Sequence, residues 1–132
     1  MVASVQPDHA LDDRDVADRL WAGRTDRAFA IRSLLDAGAT LAMGSDAPVS
    51  PLDPWTTVAA AVTRNRGVRE PWHPEQRIGL ADALAASTRS TVAVGQVADL
   101  VVTDVDPLGV DDVRGLPVAA TLLAGGLTHG AE

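Results

Sequence analysis

Two short apolar runs, each closed by glycine or proline, predict strands in the first third of the chain. The run from Ala39 to Met43 is bracketed by Gly38 and Gly44, and a run of this length is typical of a buried parallel strand rather than a helix. Residues Met1 to Val5 form the second run, which ends before Pro7 because proline lacks the N–H that a sheet requires. Both runs indicate strands of an α/β fold.

Apolar positions recur at helical spacing in four stretches of the chain. The predicted helices cover Asp12–Leu20, the stretch from Thr25 as N-cap to Gly38 as C-cap, Trp55–Asn65 and Ile78–Thr88. The third helix should begin near Pro54, since proline suits a first helical turn. Residues 68–76 contain two prolines and predict a loop, in which His73 and Glu75 should pack rather than bind a metal.

The pattern changes near Ser90, after which β-type runs replace helical spacing. The predicted strands are Thr91–Val94, Ala98–Thr103, Val118–Leu123 and a hairpin return over Leu127–His129. Gly125 and Gly126 supply the tight turn before the return strand.

Composition narrows the classes of function. A formal charge of −7 argues against nucleic-acid binding, which needs a basic face. There is no cysteine, so any metal must be held by oxygen or imidazole ligands. No apolar run in the sequence is long enough to cross a bilayer, and a cytoplasmic protein without membrane partners is expected.

Asp46 is the first candidate for chemistry, because it follows the C-terminal end of a predicted buried strand. Prolines 48, 51 and 54 stiffen the loop after it, and α/β folds place their functional residues in such loops. The alternative is that Asp46 only caps the loop by accepting backbone N–H groups. His9 follows the first strand in the same way, as a loop residue or as a ligand.

Four motifs stand out along the chain: Gln6-Pro7-Asp8-His9, Gly44-Ser45-Asp46-Ala47-Pro48-Val49 with Pro51-Leu52-Asp53-Pro54, Trp72-His73-Pro74-Glu75-Gln76-Arg77, and Gly95-Gln96-Val97-Ala98-Asp99-Leu100-Val101-Val102 with Asp106-Pro107. In this order they resemble motifs of the amidohydrolase superfamily, in the branch called amidohydrolase family 3. Each motif alone is weak, but the four together extend over nearly the whole chain.

The resemblance implies the C-terminal part of a (β/α)8 TIM-type barrel with a small β-sandwich. Residues 1–89 would be the seventh and eighth strand–helix units of the barrel, and residues 90–132 would be sandwich strands. The two strands would then be parallel neighbours whose ends open toward one side. Asp99 matches a family aspartate that we interpret as a structural turn residue.

The same resemblance assigns roles to three residues. Asp46 would bind a divalent metal, most simply zinc, and accept a proton from the attacking water during hydrolysis of an amide or other C–N bond in a small-molecule substrate. Gln6 and His9 would contact the substrate at the mouth of the barrel.

Two features depart from the family pattern. The sequence contains no His-x-His pair and no counterpart of the ligands from the middle strands, and one carboxylate cannot hold a catalytic zinc that needs about three protein ligands. The segment between Arg89 and Thr91 is also shorter than in the family. Two hypotheses follow: an amidohydrolase represented by its C-terminal portion and inactive without the rest of the barrel, or a stand-alone non-catalytic module or pseudoenzyme fragment. The chain should self-associate or bind a missing barrel half.

Overall fold

Two parallel strands organise the N-terminal part of the chain. The computed structural model describes residues 1–130, and in it strand β1 (Val2–Val5) pairs in parallel with strand β2 (Thr40–Met43). Val2 lies opposite Thr40 and Val5 lies opposite Met43. Both strands lie where the apolar runs predict them, and their C-terminal ends meet at one edge of the sheet.

Five short helices follow or connect these strands. They are α1 (His9–Asp12), α2 (Arg14–Leu20), α3 (Ile31–Asp36), α4 (Pro54–Thr63) and α5 (Leu80–Ala86), with a 3₁₀ turn at Pro74–Gln76. The helix predicted over Asp12–Leu20 thus begins earlier and is divided at Asp13. The helix predicted over Ile78–Thr88 is shorter at both ends.

The helix predicted from Thr25 to Gly38 forms only in its second half. Phe29 adopts a left-handed backbone with φ of 52°, which interrupts the helical spacing, and α3 begins at Ile31. The Phe29 ring lies 6.2 Å from the Trp72 ring, and its carbonyl accepts a hydrogen bond from Arg64 Nη1 at 3.4 Å. These long-range contacts outweigh the local helical pattern. Gly38, with φ of 79°, follows the helix as predicted.

The main core lies on one face of the parallel pair. Leu41 of β2 packs with Ile31 of α3, with Val58 and Ala59 of α4, and with Ala83 of α5. On the other face the alternating side chains are exposed: Val2, Ser4, Thr40 and Ala42. Parallel strands are normally covered on both faces, so this sheet is only half covered.

Helix α4 is the best buried of the five and has a complete N-cap. Asp53 Oδ1 accepts the N–H groups of Trp55 and Thr56 at 3.0 and 3.3 Å, and Pro54 occupies the first turn as predicted. The helix ends at Arg64, whose backbone is left-handed with φ of 57°. Because Asp53 is the N-cap, its hydrogen bonds fix the end of the loop that runs from Asp46 to α4.

The C-terminal region forms an antiparallel three-stranded sheet. Strands β3 (Leu100–Thr103), β4 (Val118–Leu123) and β5 (Gly126–His129) are ordered β3-β4-β5 and confirm three of the four predicted strands. The predicted strand Thr91–Val94 is wrong: these residues form bends and turns, with Val94 fully exposed.

The fold is therefore mixed α/β, with one parallel and one antiparallel sheet. Residues 131 and 132, the end of the proposed second segment, lie outside the described residues. Within residues 1–130, no helix has the length and apolar character to cross a membrane.

The N-cap generates the first prediction. Asp53→Ala should lower the free energy of unfolding by about 1 kcal/mol, since it leaves two helical N–H groups without an acceptor. Amide hydrogen exchange across α4 measures the change, since it reports local opening even where the whole chain does not melt cooperatively. Asp82→Ala is the matched control, because Asp82 lies in the first turn of α5 and no side chain caps that helix. Equal effects of the two substitutions would contradict the capping argument.

The half-covered sheet generates the second prediction. Among the described residues, β1 and β2 pair only with each other, so each presents a free backbone edge beside an exposed face. We expect the purified chain to self-associate or to melt without a sharp transition. Light scattering at micromolar concentration and a thermal melt measure this, and a monodisperse monomer with a cooperative transition would contradict it.

Candidate active site

His9 and Asp46 lie together at the C-terminal edge of the parallel pair. His9 opens α1 just beyond β1, and Asp46 stands in the loop just beyond β2. Their side chains approach to 3.8 Å between His9 Nε2 and Asp46 Oδ2. The prediction that both residues open toward the same end of the sheet is confirmed. This distance allows electrostatic interaction but exceeds a hydrogen bond.

The Asp46 carboxylate is accessible to solvent, and the backbone of this residue has an unusual conformation. Asp46 has a left-handed backbone with φ of 59°, which aspartate tolerates better than most residues, and its side chain is 57% exposed. Ser45 Oγ accepts the Ala47 N–H at 3.2 Å, and the Ala47–Pro48 peptide is cis. The alternative role of Asp46 as a loop cap is not what the hydrogen bonds show, because the side chain that accepts a loop N–H is that of Ser45.

His9 is more enclosed than Asp46. Its side chain is 20% exposed, and its Nε2 atom is buried without a hydrogen-bond partner among the described residues. A buried polar atom without a partner costs free energy, so such an atom is a reason to expect a ligand or another protein group there.

A second set of charged residues surrounds the turn that carries His9. Arg66 Nη2 donates to the buried Asp8 Oδ1 at 2.7 Å, and Arg66 Nη1 donates to Asp12 Oδ1 at 2.6 Å. Ser50 Oγ lies 3.4 Å from the other oxygen of Asp12. The hydrogen bonds to Asp12 and then to Asp8 raise the pKa of Arg66 above its ordinary value. This network, Arg66–Asp8–Asp12–Ser50, lies beside His9.

An open cleft of about 520 Å³ lies between this network and the Asp46 loop. It is lined by Asp8, His9, Asp12, Asp13, Val49, Pro51, Thr56 and Arg66. Its walls therefore combine charged groups from the α1 turn with apolar groups from the proline-rich loop.

The structure does not bring the Gln6 side chain into this cleft. Gln6 lines a smaller cavity of about 130 Å³ with Phe29, Ile31 and Leu34. Its carbonyl accepts the His9 N–H at 3.3 Å. Gln6 therefore contacts His9 through its backbone carbonyl.

Comparison with known families decides the relationship. A model of the Amidohydrolase family matches residues 1–129. The chain belongs to the Amidohydrolase family.

Three curated relatives resemble this amidohydrolase chain. Protein LONG AFTER FAR-RED 3 of Arabidopsis thaliana is 38% identical and covers 77% of this chain. Putative amidohydrolase YtcJ of Bacillus subtilis is 29% identical over 75% of the chain, and N-substituted formamide deformylase of Arthrobacter pascens is 27% identical over 83%. The matched region is 20 to 23% of the length of these relatives. No solved structure matches the chain.

The donor set of the amidohydrolase chain is incomplete for a metal. The accessible Asp46 carboxylate fits the role of one oxygen ligand, and His9 Nε2 is a nearby nitrogen. Within residues 1–130, however, no group of three His, Cys, Asp or Glu side chains is placed to hold an ion. The described residues therefore do not complete a metal site by themselves, since a catalytic zinc, for example, needs about three protein ligands.

A second histidine, His73, lies in the loop after α4, outside the cleft. His73 Nδ1 lies 2.9 Å from Glu75 Oε1, and His73 Nε2 lies 3.1 Å from Thr25 Oγ1. The His73 ring also packs edge-on against Trp72 at 4.6 Å. Both ring nitrogens are occupied by protein groups, as the predicted packing role requires.

Sequence reasoning missed Arg66, Asp12 and Ser50. Arg66 is 54 and 58 residues from the two aspartates that it bonds, so local spacing carries no signal of these contacts. The one available signal was the spacing of Asp8 and Asp12, which places two carboxylates on one side of a helical turn.

Proposed function

We propose that this chain supplies the C-terminal part of the active site of a metal-dependent amidohydrolase that cleaves an amide or another C–N bond. In this proposal Asp46 binds a divalent metal, most simply zinc, and accepts a proton. His9 and Gln6 contact the small-molecule substrate at the mouth of the barrel.

One observation carries the proposal: His9 and Asp46 lie 3.8 Å apart at the C-terminal edge of a parallel sheet. Enzymes built on parallel strands place their functional residues at this edge, because the loops after the strands converge there. Family membership and the names of two relatives, an amidohydrolase and a formamide deformylase, support hydrolysis of a C–N bond.

The half-covered sheet supports a place in a larger barrel. In a (β/α)8 barrel, helices cover the outer face of the strands and strand side chains fill the interior. Here helices cover the face that contains Leu41, and the opposite face is exposed. We propose that this exposed face, which includes Ser4 and Ala42, would line the barrel interior. Strands β3 to β5 would belong to the sandwich.

The chemistry assigned to Asp46 follows from its carboxylate and its exposure. When bound, a divalent metal supplies Lewis-acid activation of water and of the scissile carbonyl. Asp46 would hold the metal through a carboxylate oxygen, and the same carboxylate would accept the proton that the attacking water loses. His9 Nε2, which is buried without a partner, is free to bond a polar group of the substrate.

A second candidate function is a non-catalytic module that keeps the family fold. The observation that favours it is the incomplete ligand set within residues 1–130. Under this proposal the chain binds other proteins or small molecules but hydrolyses nothing, and Asp46 has no catalytic role.

Zinc titration tests the ligand argument. With one carboxylate and one imidazole, the isolated chain should bind zinc only weakly and should not hydrolyse amides. Isothermal calorimetry measures the binding. Stoichiometric tight binding that is lost in Asp46→Ala would show that the chain completes a metal site by itself, which contradicts this expectation.

A hybrid enzyme separates the two candidate functions. The part of this chain that matches the Arthrobacter pascens deformylase, 83% of its length, would replace the corresponding region of that enzyme, and hydrolysis of an N-substituted formamide would be measured with zinc present. We expect activity that falls at least about 100-fold in Asp46→Ala, since removing a group that is both ligand and proton acceptor removes its share of rate acceleration. Asp36→Ala is the matched control, because Asp36 is an exposed aspartate paired with Arg32 on α3. A folded, active hybrid that is unaffected by Asp46→Ala would contradict the catalytic assignment.

A further inference from the structure

The helical turn that contains His9 is too short to be stable without contacts to the rest of the protein. Helix α1 contains only four residues, His9–Asp12, and no side chain caps its N-terminus. Isolated helices of this length are unstable in water, because the cost of forming the first turn is not recovered. Tertiary contacts must therefore fix the position of His9.

Arg66 contacts this turn on both sides of His9. One guanidinium nitrogen bonds Asp8, immediately before His9, and another bonds Asp12, at the end of the same turn. Asp8 is 2% exposed, so its carboxylate is buried and the arginine supplies its compensating charge. The planar guanidinium can hold two carboxylates at once, which the compact ammonium of lysine does with less geometric control.

The same network reaches the loop that carries Asp46. Ser50, which is buried, directs its hydroxyl at Asp12 Oδ2, 3.4 Å away. Ser50 lies four residues after Asp46, on the proline-rich loop that begins at β2. Arg66, Asp12 and Ser50 thus form a connected path from the His9 turn to the Asp46 loop.

We propose that Arg66 is a positioning residue that sets the distance between His9 and Asp46 through Asp8, Asp12 and Ser50. The proposal rests on the proposed function in one respect, that His9 and Asp46 act in one site. Arg66 itself touches neither of these two side chains in the contacts that the structure shows, so its effect is transmitted by the turn and the loop.

The chain offers a matched control in Arg69. Arg69 bonds Asp15 through two nitrogens at 2.6 and 3.2 Å, and its side chain is about as exposed as that of Arg66. It ties the same loop to α2, but it contacts neither Asp8 nor Asp12 in the structure. Arg69→Ala therefore removes an exposed ion pair made by an arginine of the same loop, and it leaves the network beside His9 intact.

The experiment measures how much the charge of Asp46 changes the NMR signal of the His9 ring. The sequence has three histidines, so the ring Cε1–Hε1 signals can be resolved by NMR in the ¹³C-labelled chain, and His9→Gln assigns the His9 signal. The response is the displacement of that signal caused by Asp46→Asn near neutral pH. It is measured in the unmodified chain, in Arg66→Ala, in Arg66→Lys and in Arg69→Ala.

We expect the full response in Arg69→Ala and a response reduced about two-fold or more in Arg66→Ala, as a doubled charge separation would produce. Arg66→Lys should give an intermediate value, because one ammonium replaces two parallel contacts. A merely structural role for Arg66 would lower the melting temperature but leave the response unchanged in the folded fraction.

Two results would overturn the proposal: an unchanged response in Arg66→Ala, or equal losses in Arg66→Ala and Arg69→Ala. Should Arg66→Ala not fold, Arg66→Lys and Ser50→Ala decide the question, and unchanged responses in both would overturn it. Because this test requires no catalysis, an inactive protein would contradict the proposed function without affecting the role of Arg66.

Discussion

The parallel pairing of β1 and β2 is the constraint on which the site depends. The Thr40 N–H donates to the Met1 carbonyl at 3.0 Å, and the Gly44 N–H donates to the Val5 carbonyl at 3.1 Å, so the pair is bonded at both ends. A parallel connection cannot be a tight turn, and here α1, α2 and α3 form the crossover. Since both strands end at the same edge, residues 37 positions apart along the chain become neighbours without any contribution from their own side chains.

Arginines hold the loop after α4 against the rest of the molecule. Arg64 is fully buried, donates to the Trp72 carbonyl at 3.0 Å and lies 5.7 Å from the centre of the Trp72 ring. Burial lowers the pKa of Arg64 to about 10, which still leaves it charged at neutral pH. Arg114 reaches back from the C-terminal region to the Asn65 carbonyl at 2.7 Å. Guanidinium groups suit this use because they present several donors in one rigid plane.

The sequence predicted the elements whose signals are local and failed where contacts are distant. The strand at Ala39–Met43 and the start of α4 at Pro54 follow from a short apolar run and from proline and N-cap chemistry, and both are confirmed. The interruption of the helix at Phe29 and the hydrogen bonds of Arg66 depend on partners more than 30 residues away. The spacing of apolar residues along the chain carries no information about such partners. For the site, the nearness of His9 and Asp46 was predictable from family resemblance. Their chemical roles stay predictions.

Asp99 makes two contacts that connect the segment before β3 to the hairpin turn of the antiparallel sheet. Its Oδ1 accepts the Ala124 N–H at 2.9 Å, at the turn between β4 and β5, and its Oδ2 accepts Arg89 Nη2 at 2.6 Å. The backbone bond from Ala124 and then the Arg89 contact lower the pKa of Asp99, so the carboxylate stays ionised and contributes to folding at pH values above its ordinary pKa. One side chain thus joins the end of the helical region to the hairpin turn. The Arg89–Asp99 pair thus connects the segment after α5 to the turn of the antiparallel sheet, although neither residue belongs to a strand or helix.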